Sequence, residues 1–120
     1  MNRFSRFVTL GAALAFAAGA PAFAHTELVK SNPAANATVK SPKTITLTFS
    51  ERVVPAFSKF ELTMPAHKMA IPVKTSVSPD GKRIVGAVGA RLMKGAYTIT
   101  WTAAGADGHR MTGKLGFKVG

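Results

Sequence analysis

The sequence predicts an all-β domain, a small two-sheet sandwich or closed barrel of about seven short strands. Three observations carry that prediction. Apolar and polar residues alternate at a period of two along several segments, turn signals containing Pro or Gly separate those segments, and nothing beyond Ala24 repeats apolar residues at long helical spacing. With 120 residues, 47% of them apolar, the chain suffices for one domain with its own core. It has no Cys, so core packing must hold that domain without disulfides or thiolate metal sites.

The first segment reads as a leader. Residues 1–6 carry Arg3 and Arg6, residues 7–20 are apolar and uncharged, and Ala22-Phe23-Ala24 has the small-x-small pattern of a secretory cleavage site. The apolar run is shorter than the ~20 residues of a spanning helix, and Pro21 follows it at once. Residues 1–24 are therefore expected to be a signal peptide, and 25–120 the working domain. Taking 24 residues from 120 leaves 96, and losing Arg3 and Arg6 lowers the net charge from +11 to +9. The mature protein would be secreted, would not span a membrane, and would begin at His25.

Within that domain residues 27–30 form a weak strand candidate, followed by Asn32-Pro33. Residues 44–49 alternate Thr with Ile45, Leu47 and Phe49. Weaker candidates at 57–63, 71–76 and 83–88 are divided by Pro65 and by Ser78-Pro79-Asp80-Gly81, which reads as a tight hairpin turn. After Lys94-Gly95, residues 97–102 alternate Tyr97, Ile99 and Trp101 with Thr, and 114–119 alternate Leu115, Phe117 and Val119 with polar residues or Gly. The predicted inner faces hold Leu47, Phe49, Phe60, Leu62, Ile99, Trp101 and Phe117. Sandwich and barrel need the same alternation, so periodicity leaves both open.

Chemistry concentrates at the three His. Cleavage would give His25 two nitrogen donors, an α-amine with a reference pKa of ~7.7–8.0 and an imidazole of ~6.5. Together they close a small chelate ring, suited to the tetragonal N and O sets preferred by Cu(II). The competing reading is a His left at a cleavage site by chance. In Asp107-Gly108-His109, extended chain projects Asp and His to one side, and Gly108 permits a turn that aims both at one point. Carboxylate plus imidazole would complete an N3O set with His25. The competing reading there is a surface Asp-Gly turn with a solvated His.

These residues carry a resemblance. His25-Thr26-Glu27-Leu28 with Ser31, Pro33, Ala34 and Ala37, then Leu47-Thr48-Phe49-Ser50-Glu51, then Leu92, Gly95, Tyr97 and Trp101, then Asp107-Gly108-His109 with Gly113 and Phe117, resemble the CopC/PcoC-type periplasmic copper-resistance proteins. The likeness spans residues 25–119 in the family's order. It implies a Greek-key, Ig-like β-sandwich or barrel that binds Cu(II) through the amine and side chain of His25, with Asp107 and His109 as further ligands. Glu51 falls at the family's acidic position, as an outer or axial contact. Gly105 stands where the family usually has Ser, and Arg110 and Met111 where it has Pro and an aliphatic residue. Those departures bear on the support of the loop and set a positive charge beside the metal.

Met64, His67 and Met69 put two thioethers and an imidazole within six residues, and soft sulfur favours Cu(I). Some proteins of this type carry a richer Met-His loop here. The alternative is that both Met pack on the sandwich, as Met93 and Met111 are read to be core or loop residues. The 16 basic residues against five acidic ones form no basic helix and no stripe interleaved with aromatics, which excludes nucleic acid. A self-repelling soluble surface accounts for the charge, or attraction to anionic headgroups or to acidic patches on inner-membrane or periplasmic copper-handling partners.

The reading that follows is a copper-binding protein of resistance, homeostasis or transfer, not an enzyme. Two rivals are a copper-dependent oxidative enzyme acting on polysaccharide, which shares only the His chelate, and a metal-free Ig-like interaction module. Asp107 as a ligand disfavours the first, because it would fill a coordination position and lower the potential of the metal.

Overall fold

The computed structural model describes residues 26–120, in which the alternating segments form nine strands. The predicted leader and His25 lie outside the described residues. The strands are β1 (Leu28–Asn32), β2 (Thr38–Val39), β3 (Thr44–Phe49), β4 (Lys59–Met64), β5 (Met69–Ile71), β6 (Val73–Val77), β7 (Arg83–Val88), β8 (Gly95–Ala104) and β9 (Arg110–Val119). β3 and β7 have the predicted bounds. Nine strands replace the expected seven for two reasons. β2 has only two residues, too few to alternate, and pairs in parallel with the end of β9. The single strand expected over 71–76 is two, because Pro72 has no N–H to give a ladder and the chain changes sheets there. Phe57, expected in a strand, ends a 3₁₀ turn that Pro55 begins.

Pairing gives one sheet in the order β1-β3-β7-β6 and another in the order β2-β9-β8-β4-β5. Each sheet ends on strands with a single partner, so the domain is a sandwich and the barrel alternative fails. All seven predicted inner-face residues are buried, joined by Ile45, Ile84 and Tyr97. Trp101 meets Phe49 edge-on with centroids 5.2 Å apart, and Tyr97 stacks on Phe117 at 5.6 Å. Each such burial is worth ~1.5–3 kcal/mol, which lets a Cys-free domain hold together.

Antiparallel pairing collects the loops at two ends. One end has the first described residue, Thr26, and the loops 50–54, 78–82 and 105–109; the other has 40–43, 65–68 and 89–94. The β6–β7 connection is the hairpin expected at Asp80. Asp80 accepts from the Ser78 hydroxyl and the Lys82 N–H, which hold its carboxyl below the ordinary value, and Gly81 turns the chain at φ +74°. Among the described residues no helix is long and apolar enough to cross a membrane.

Candidate metal centre

Asp107 and His109 sit on the hairpin joining the two longest strands, β8 and β9. Gly105 N–H donates to the His109 carbonyl at 3.0 Å and Gly108 N–H to the Gly105 carbonyl at 2.9 Å. Closing so short a turn requires φ +85° at Gly108, a left-handed value that glycine adopts without strain. Both oxygens of Asp107 then face His109. Oδ1 accepts its backbone N–H at 3.0 Å, and Oδ2 lies 2.8 Å from Nδ1. The hydrogen bond from the ring, then that from the backbone, hold the Asp107 carboxyl below the usual carboxylate range. The side chains are 46% and 73% exposed, open to an ion from solvent. A separation of 2.8 Å is also what two adjacent donors at ~2.0 Å from one tetragonal ion require. A metal can thus take the place of the proton between Nδ1 and Oδ2.

The start of the described chain comes to the same hairpin. A Cβ on Gly105 would lie 2.9 Å from Thr26 Oγ1 and 3.0 Å from Asp107 Oδ1, so these two oxygens are within about 6 Å of each other. Thr26 is buried, and Glu27 is tied down by N–H donation to Ser50 Oγ at 2.9 Å, with Ser50 N–H returned to the Glu27 carbonyl at 2.8 Å. Val53 bridges to Gly105, which brings the 50–54 segment alongside. Glu51 lies on that segment, exposed. Among the described residues it does not join Asp107 and His109 in a cluster of three metal-ligating side chains. Thr26 carries no sequence signal of its own, and its role appears only through this packing.

Arg110, expected as a positive charge beside the site, lies with its guanidinium 4.9 Å from the Phe57 ring centroid. It lines a groove of about 710 Å³ together with Phe57 and Lys59. Trp101 runs up β8 toward the hairpin opposite Gly113, where any Cβ would lie 2.4 Å from the indole. The bare backbone there lets the ring lie flat.

Met64, His67 and Met69 are at the other end. Met64 and Met69 are cross-strand partners of β4 and β5, and the 3₁₀ turn Pro65–His67 joins them. Met64 is buried, its methyl against Gly95, whereas Met69 is 42% exposed. Both line a cavity of about 130 Å³ with Met93, which is 53% exposed; His67 is not in its lining. Met93 was legible only as a core or loop residue, because it lies 24 positions beyond Met69 and 29 beyond Met64 and only the fold brings the three thioethers together. Met111 packs half-buried against the core.

A sequence model described as the CopC domain matches residues 28–120. Copper resistance protein C of Xanthomonas campestris pv. juglandis is 39% identical over 108 residues, covering 85% of each chain. Copper resistance protein C of Pseudomonas syringae pv. tomato is 39% identical over 129 aligned positions, 99% of this chain and 98% of its own. Among solved structures, the crystal structure of PcoC, a methionine-rich copper resistance protein from Escherichia coli, superposes with a TM-score of 0.75 at 36% identity, covering 81% of this chain and all of that one. CopC from Methylosinus trichosporium OB3b gives 0.73 at 26% identity, over 79% and 93%.

Proposed function

The chain belongs to the CopC family, and from that premise we propose that it is a periplasmic protein that binds Cu(II) as cargo for copper resistance, homeostasis or transfer. Its ligands are the α-amine and imidazole of His25, freed by cleavage after Ala24, with Asp107 and His109; Glu51 is an outer or axial contact. The observation that carries this reading is Thr26, the residue after His25, packed against Gly105 within about 6 Å of the Asp107 carboxylate. The role is binding, not catalysis, and the partners are other periplasmic or inner-membrane copper-handling proteins. The order β1-β3-β7-β6 over β2-β9-β8-β4-β5 supports a Greek-key, Ig-like reading of the sandwich.

The test compares mature protein beginning at His25 with the same protein carrying one extra residue ahead of it, each titrated with Cu(II) and followed by Trp101 fluorescence. Extension should weaken binding at least about tenfold, because it replaces an amine donor by an amide. Equal affinities would sink the amine ligand.

A second metal reading is favoured by the three thioethers on one cavity. In it, Met64 and Met69, with His67 beside them, offer soft donors to Cu(I) at the far end of the sandwich, and Met93 extends the set.

A further inference from the structure

Charge is not spread evenly over this molecule. Four of its five acidic residues, Glu27, Glu51, Asp80 and Asp107, belong to the end that carries the Asp107–His109 hairpin, and Glu61 lies midway along β4. The opposite end has Lys40, Lys43, Lys68, Arg91 and Lys94, all exposed. None of these five makes an ion pair with a carboxylate among the described residues.

That end is also concave. A groove of about 590 Å³ runs between the 40–43 and 88–91 segments, with Lys40, Lys43 and Arg91 on its walls and no carboxylate in its lining. Its walls are fixed to each other: Leu92 N–H donates to Ser41 Oγ at 2.7 Å and Val88 N–H to the Lys43 carbonyl at 2.9 Å. At Ala90 and Arg91 the groove adjoins the cavity lined by Met64, Met69 and Met93. We propose that this groove is a docking surface for an extended acidic segment of a partner protein. Cations held together without counter-charges repel one another, and a strand of carboxylates laid between them relieves that repulsion and is steered in by the field. A walled groove fits a polypeptide segment better than it fits the flat face of a bilayer. Docking there would bring a partner beside the exposed thioethers of Met69 and Met93.

The test uses the metal-free protein, so its outcome is independent of the copper reading. A fluorescently labelled peptide of alternating Glu and Ser is titrated by anisotropy, at low salt and at ~0.15 M salt, where screening acts within ~8 Å. Binding is expected, weakened by salt, and reduced about tenfold or more by the triple variant Lys40→Gln, Lys43→Gln, Arg91→Gln. A charge-matched triple variant elsewhere, Lys59→Gln, Lys82→Gln, Lys114→Gln, should change it by no more than about twofold. Equal losses in the two triples would overturn the proposal in favour of diffuse charge. Absence of peptide binding would also overturn it, and capture by phosphatidylglycerol vesicles in that case would assign the end to lipid.

Discussion

Gly105 lacks the one atom that would hold Thr26 and Asp107 apart. Its missing Cβ leaves a space bounded by Thr26 Oγ1 at 2.9 Å, closer than a real Cβ tolerates, and Asp107 Oδ1 at 3.0 Å, tighter than most real Cβ contacts. Gly105→Ala should therefore leave the strands intact and shift one or both of these side chains by tenths of an ångström. We expect Cu(II) affinity to fall by about tenfold, the scale on which the surroundings of a metal ligand act, with little change in circular dichroism. Unchanged affinity would show that the hairpin and the chain start act separately. Asp107 and His109 were legible in the sequence because their chemistry and their spacing are local, and Gly108 announces the turn that aims them. Thr26 was not, since its contact joins opposite ends of the chain and a threonine has no metal chemistry to flag it.

Among the elements, β8 is the one that joins core and site. Its first turn outward is fastened by Tyr97, whose hydroxyl donates to the Met93 carbonyl at 2.7 Å from an almost fully buried ring. A tyrosine hydroxyl bonded to the backbone a few residues upstream fastens a strand corner in Ig-like sandwiches in the same way. Burial pushes the Tyr97 hydroxyl above its ordinary pKa, so the neutral, donating form is kept well into alkaline pH. Tyr97→Phe keeps the stacked ring on Phe117 but strands the carbonyl, and should cost about 1 kcal/mol. In a domain of this size that lowers Tm by roughly 4–8 °C in a thermal melt; a melt unmoved from the parent would show that water satisfies the carbonyl equally well. Strong alternation made β3, β8 and β9 readable, and β7 was read with the right bounds from a weaker pattern. β2 and the β5–β6 break were not, because the first is held only by its pairing with β9 and the second depends on which sheet accepts each side of Pro72.

At the scale of the whole molecule, the sandwich holds its two candidate copper chemistries at opposite ends. The ten residues of β8 run from Gly95, against Met64, to Ala104, beside the Asp107 hairpin, a span of about 30 Å at ~3.3 Å per residue. Between them lies packed apolar core, Tyr97, Ile99, Trp101 and Phe117, which offers neither end a shared ligand. Sites that far apart, without common partners, act additively. The double variant Met69→Leu, Met93→Leu conserves volume and so keeps the fold. It should weaken Cu(I) binding about tenfold, since thioether donors are lost, and leave the Cu(II) titration of Trp101 fluorescence within about twofold of the parent. Parallel titrations of both oxidation states check this. If Cu(II) affinity fell together with that for Cu(I), the two ends would be coupled through the sheet rather than independent.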